Sequence, residues 1–183
     1  MPSYVLELLF DPDSETTIRN IWRRISEADL PSSLDAEGYR PHLTLAVSDA
    51  IRLDIDRCQE RLTQFARAQS SFPITLNHLG LFQTRDNVVF LGVVPSQNLL
   101  NLHRVAFGLC QQFTGGWRDY YAPDHWTPHV TLAFNLTPMQ AVDILKMAWE
   151  IALPIQARAY ALQIVELTPT HARDLVCCEL EQT

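Results

Sequence analysis

The chain has 183 residues, 47% of them hydrophobic, with 14 basic and 21 acidic side chains and a net charge of −7. That balance fits one folded domain and excludes a disordered tail. It also excludes the dense Lys and Arg lining with which an extended nucleic-acid track displaces counterions. No apolar run approaches the roughly 20 residues that span a bilayer. The opening MPSYVLELLFDPDSE lacks the basic lead of a secretion signal. A cytoplasmic protein without a membrane partner is therefore expected.

YVLELLF (4–10) reads as a strand, followed by a helix with Ile18, Ile21, Trp22 and Ile25 on one face and Asp13 or Ser14 as N-cap. HLTLAV (42–47) is the next strand. A second helix carries Ile51, Ile55, Cys58, Leu62 and Phe65 on its stripe. FPITLNHLGLF (72–82) and NVVFLGVV (87–94) form a hairpin across QTRD.

The order then repeats. A helix over about 96–113 turns Leu99, Leu100, His103, Phe107 and Cys110 inward. The aromatic loop TGGWRDYYAPDHWTP (114–128) leads into HVTLAF (129–134). The last helix opens with Thr137 as N-cap, Pro138 at its first position and Gln140 closing a capping box. LPIQARAYALQIVEL (153–167) and ARDLVCCEL (172–180) are the final strand pair, with LPIQ standing where FPIT stands in the first half. The expected fold is α+β, with two pseudo-symmetric lobes, antiparallel sheets facing a central cleft and helices outside. Residues 1–183 form one bilobed domain built from a duplicated strand-helix-strand-helix-strand unit.

The chemistry sits in PHLTLAV (41–47) and PHVTLAF (128–134). On a strand, His42, Thr44 and Ala46 point one way and Leu43, Leu45 and Val47 the other, and His129, Thr131 and Ala133 repeat the pattern. Burying the apolar face leaves the His-Thr faces for a cleft. Two imidazoles with ordinary pKa values of about 6.5 can serve as one acid and one base, and the threonine hydroxyls can hold phosphoryl oxygens. Two matched copies favour a catalytic pair over two structural histidines.

The tandem motif, with the strand-helix order of the whole chain, resembles the two-histidine (2H) phosphoesterase superfamily. The likeness is to its 2′,5′ RNA ligase-like and cyclic phosphodiesterase branches. It implies a bilobed fold with catalytic His42 and His129 and phosphate-binding Thr44 and Thr131 lining a cleft. It also implies hydrolysis of 2′,3′-cyclic phosphates or related cyclic phosphates of nucleotides or RNA ends, and in some members reversible 2′,5′ ligation. Several ligase-like members carry arginine five residues after the second histidine, where this chain has Phe134.

Arg40, Trp117, Arg118, Tyr120 and Tyr121 are further candidate contacts, arginines for phosphate and aromatic rings for a stacked base. Trp126, nearest His129, reads as packing. His103 reads as a satisfied core histidine, and His78 and His171 carry no assignment. No cofactor or metal is expected: Asp124, His125 and His129 lack a supporting cluster, and Cys58, Cys110, Cys177 and Cys178 have no ligand spacing. Adjacent Cys177 and Cys178 point to opposite faces of a strand, so free thiols are expected. Lys146, the single lysine, lies in a helix without a nucleotide-binding motif, which argues against a lysyl-adenylate ligase. The expected partner is a small cyclic nucleotide or an RNA terminus, met by a monomer. The rival readings are a non-catalytic nucleotide or RNA-end binding module using the same cleft, and a metal-dependent hydrolase.

Overall fold

β1 (Ser3–Phe10), α1 (Pro12–Glu27), β2 (His42–Ser48), α2 (Ile55–Arg67), β3 (Pro73–Phe82) and β4 (Val88–Val93) are followed by α3 (Gln97–Cys110), β5 (His129–Ala133), α4 (Pro138–Ala148), β6 (Ile155–Leu167) and β7 (Ala172–Glu179). This is a computed structural model, and it describes residues 3–31, 34–50, 53–168 and 172–182. Among them no helix is long and apolar enough to cross a membrane.

The strands form one antiparallel sheet of seven, in the order β2-β1-β6-β3-β4-β5 with β7 on β6. The two expected sheets are continuous because β6 serves both. Its first residues pair with β3, from Leu76↔Ile155 to Pro73↔Arg158, while the rest pairs with β1 and β7. The two halves repeat one pattern. β1 lies between β2 and β6 as β4 lies between β5 and β3. FPIT and LPIQ meet where β3 crosses β6, with Thr75 opposite Gln156.

β2 and β5 stand at opposite ends of this path, yet they touch. The sheet therefore curls until its ends approach. Two tryptophans fasten the seam. The Trp22 indole N–H, from α1, donates to the Thr131 carbonyl at 3.0 Å, and the Trp126 indole N–H donates to the Thr44 carbonyl at 2.9 Å. Each satisfies a carbonyl of an edge strand and crosses from one half to the other. Leu43, Leu45, Val130 and Leu132 lie on the opposite strand faces, fully buried in the core with Ile18, Trp22 and Ile25.

Local signals set most element ends. α4 has the expected capping box, with Thr137 and Gln140 exchanging side-chain and backbone hydrogen bonds. α1 starts earlier than expected. Its N-cap is Asp11, whose carboxylate accepts the N–H groups of Asp13 and Ser14, because Pro12 suits a first helical turn whose N–H groups have no partner in the helix. On α2 the buried stripe is Cys58, Leu62 and Ala66, while Ile55, in the first turn, is 36% exposed. On α3, Leu99, His103, Phe107 and Cys110 are buried as expected and Leu100 is half-buried. All four cysteines are free, Cys177 exposed and Cys178 buried. Ile51 and His171 lie outside the described residues.

Candidate active site

Arg40-Pro41-His42 and Thr127-Pro128-His129 build the same local device. Proline fixes its φ and has no N–H to give. The carbonyl two residues before each histidine then turns onto that histidine's own ring. His42 Nδ1 donates to Arg40 O at 2.7 Å, and His129 Nδ1 donates to Thr127 O at 2.8 Å. A carbonyl only accepts, so Nδ1 carries the hydrogen and Nε2 of each neutral ring keeps its lone pair. Burial holds both imidazoles below the ordinary histidine pKa, against the pull of these carbonyls. His129 is lowered further by His42, so the rings sense one another across the seam.

The two histidines have different neighbours. Glu7 of β1 is 3% exposed, and its Oε1 lies 3.5 Å from His42 Nε2. Burial pushes the Glu7 carboxyl up to about 8, helped by Asp174 and opposed by Arg40. His129 instead packs edge-on to Phe82, with ring centroids 4.9 Å apart, and against Phe90 at 5.2 Å. Glycines make room for this wall. A Cβ on Gly80 would stand 2.2 Å from the Phe90 ring, and one on Gly92 would stand 2.0 Å from the His78 ring. Gly92 is the register partner of both His78 and His129, which places His78 on the same sheet face as His129.

A cavity of about 560 Å³ opens beside His129, lined among others by Phe82, Asp86, Tyr120, Tyr121 and Trp126. Tyr121 is among the residues that line it, and burial raises its pKa to about 12. Thr44 and Thr131 are half-buried beside their histidines.

Of the other expected contacts, Tyr120 and Tyr121 reach the His129 cavity, while both arginines are bound to carboxylates. Arg40 bonds Glu15 at 2.7 Å. Arg118 holds Asp49 through two hydrogen bonds of 2.8 and 2.7 Å and reaches Tyr120 Oη at 3.0 Å. The structure does not bring Trp117 to the histidines. It donates to Thr114 O and packs on Phe107 beneath the first half. Trp126 is buried and stacks on His103, with centroids 3.8 Å apart. His103 shares its Nε2–H between Leu45 O at 3.0 Å and Tyr121 O at 3.1 Å, as a satisfied core histidine does. Phe134 is half-buried against the core.

Sequence reasoning passed over Glu7, Phe82 and Phe90. Glu7 left a signal, being the single charge in an otherwise apolar strand. Gly80 and Gly92 left another, since glycine inside a strand marks the close approach of something else.

The geometry can move two protons. One Nε2 can take a proton from water while the other, when protonated, gives one to a departing oxygen. Donors nearby can hold a charged group between them.

Known proteins share this fold. Residues 10–169 match the family described as the 2′-5′ RNA ligase superfamily. "Putative phosphoesterase OB1230" of Oceanobacillus iheyensis is 29% identical over 106 residues, which is 57% of this chain and 58% of that protein. The match thus spans under two thirds of the relative's length. The fold matches E. coli LigT with TM-score 0.64 at 19% identity, covering 98% of both chains. TT0787 of Thermus thermophilus matches with TM-score 0.65 at 14% identity, again over 98% of both. LigT has also been crystallised with 3′-AMP, and that structure matches with TM-score 0.61 at 18% identity over 99% of both chains. With the family match running from the end of β1 to the close of β6, the chain belongs to the 2′-5′ RNA ligase superfamily.

Proposed function

We propose that the protein is a metal-independent phosphodiesterase that opens 2′,3′-cyclic or related cyclic phosphates of nucleotides or RNA ends. His42 and His129 are its acid–base pair, and Thr44 and Thr131 hold the phosphoryl oxygens. One observation carries the reading. Two imidazoles at matched places in the two halves each have Nδ1 fastened to a backbone carbonyl and Nε2 left for chemistry. Family membership supports phosphoester chemistry, and the 3′-AMP complex of LigT supports a small nucleotide ligand. Tyr120 and Tyr121 line a cavity of about 560 Å³ beside His129, room enough for a nucleobase to stack with its phosphate at the histidines. The same ring opening with a 5′-hydroxyl in place of water would join 2′,5′ RNA ends without ATP.

The test is turnover of 2′,3′-cyclic nucleotides in excess EDTA. Activity should survive the chelator and fall by about 100-fold or more in His42→Ala and in His129→Ala. Turnover that needs an added metal would replace this reading with a metal-dependent hydrolase. Tight binding of cyclic nucleotides, ADP-ribose cyclic phosphate and 2′,5′-linked RNA without turnover of any would make the cleft a binding module.

A further inference from the structure

The two halves align residue by residue around their histidines, and the alignment breaks at one telling place. Thr44 of β2 has Glu7 as its register partner on β1. Thr131 of β5 has Phe90 as its register partner on β4. Glu7 and Phe90 are therefore the same position in the two copies, a carboxyl in one and a phenyl ring in the other. The carboxyl reaches its histidine at 3.5 Å and the phenyl ring reaches its own at 5.2 Å between centroids. A protonated carboxyl buried 3.5 Å from an acceptor Nε2 is placed to supply that nitrogen with a proton. A phenyl wall offers its imidazole no such proton.

We propose that Glu7 and His42 hold one proton between them and act together as the general acid, with Glu7 as the positioning residue, while His129 is the general base. The proposal rests on the phosphodiesterase reading and decides which histidine has which role. In the forward reaction, water oxygen forms its bond to phosphorus as His129 Nε2 takes one water proton. The bond from phosphorus to the departing sugar oxygen breaks as His42 Nε2 delivers a proton to that oxygen. That proton is the shared one: Glu7 passes it to His42 Nε2 before it leaves, and Glu7 is left as the carboxylate. The pair ends one proton poorer and His129 one richer, and solvent restores both.

Charged groups around the sites agree. Arg40 and Tyr39 face the pair from the segment before β2 and Asp174 faces it from β7. Asp174 also accepts from Gln163 at 2.6 Å, and Gln163 is the register partner of Glu7 on β6. Burial and the acidic neighbour together keep the carboxyl protonated to about pH 8, where the His42 ring alone would already have lost its proton. Around His129, Asp86, His125 and Tyr121 share the cavity, and His42 lies across the seam.

The test compares two leaving groups. Wild type, Glu7→Gln, His42→Ala and His129→Ala are assayed on a 2′,3′-cyclic nucleotide, which needs its departing oxygen protonated. They are then assayed on a nucleoside p-nitrophenyl phosphodiester, whose leaving group departs as the anion. Glu7→Gln should lose about tenfold or more and His42→Ala about 100-fold or more on the cyclic substrate, and both should recover most of that on the nitrophenyl ester. His129→Ala should be poor on both. The alkaline limb of kcat/KM, near pH 8 in wild type, should move to lower pH in Glu7→Gln. Rescue of His129→Ala instead of His42→Ala would reverse the assignment. A Glu7→Gln enzyme with the wild-type rate and pH profile would remove Glu7 from it. Should Glu7→Gln fail to fold, nitrogen-15 NMR titration of wild-type histidines decides. The His42 signals should show an inflection near pH 8, and its absence overturns the shared proton. A wild type inactive on every cyclic phosphate would instead sink the phosphodiesterase reading itself.

Discussion

Trp126 donates its indole N–H to the backbone carbonyl of Thr44, 2.9 Å away, tying the loop before β5 to the strand that carries His42. Trp22 makes the reciprocal bond to Thr131. Each bond satisfies a carbonyl at the seam and sets how closely the two motif strands approach. In Trp126→Phe an aromatic ring still stacks on His103, but the donor is gone. The expected cost is about 1–2 kcal/mol, the usual penalty for leaving a partly buried carbonyl unpaired. Urea unfolding should show a lower midpoint at unchanged slope, with a fall in kcat/KM on a cyclic nucleotide. An unchanged midpoint would mean that solvent replaces the indole without loss.

The seam also marks the limit of what the sequence made legible. The strand and helix order, the α4 capping box and the two PHxT strands were readable because each rests on neighbours a few residues apart. The α1 cap was misplaced by two or three residues because Asp13 and Ser14 compete with Asp11 as caps, and only Pro12 at the first position separates them. The α2 stripe overreached at Ile55 because a helical period says nothing of where core cover ends. The crossed tryptophan bonds join residues far apart in the chain, and no local pattern encodes them. Trp117 looked like Tyr120 and Tyr121 in sequence and differs from them because Gly116, at a φ of 70°, helps turn the chain so that Trp117 lies under the first half.

The buried carboxyl of Glu7 predicts an unusual pH dependence of stability. Its pKa is raised from 4.5 to about 8 on folding, so the folded state binds more protons than the unfolded chain between those values. The resulting contribution is fully present below about pH 4.5 and is lost as pH rises through about 8. Gln matches the protonated carboxyl in size and cannot ionise. Glu7→Gln should therefore be more stable than wild type at pH 9, by one to a few kcal/mol at about 1.4 kcal/mol per pH unit, and close to wild type at pH 5. Urea midpoints at the two pH values check this. A variant less stable at pH 9 would show that an ionised Glu7 paired with a charged His42 is the favoured folded form.

Arg118 and Asp49 give a contrast at the surface. Their paired hydrogen bonds hold the Asp49 carboxyl down at about 2, and its share of stability is present above the ordinary value of 3.8 and lost as pH falls toward 2. The pair is largely exposed to solvent, so Asp49→Ala should cost under about 1 kcal/mol at neutral pH and less in high salt. The same variant frees the Arg118 guanidinium. If Arg118 can serve a phosphate, KM for a cyclic nucleotide should fall in Asp49→Ala and return in the Asp49→Ala, Arg118→Ala double variant. Equal KM values in all three proteins would leave Arg118 a tether for the 114–121 loop.

Phe90 tests the wall around His129. Burial is the largest cause of the low His129 pKa, and Phe82 and Phe90 are the rings in contact with it. Phe90→Leu leaves an apolar side chain at the same place but withdraws the ring and admits water. The charged form of His129 is then better solvated, so its pKa must rise toward the ordinary value of about 6.5. A base that protonates at higher pH loses activity at higher pH, and the acid limb of kcat/KM should move up with it. The alkaline limb, set by the Glu7–His42 pair in the other half, should stay near its wild-type position. Proton NMR titration of His129 beside the kcat/KM profile measures both ends. Movement of the alkaline limb alone would place the base at His42.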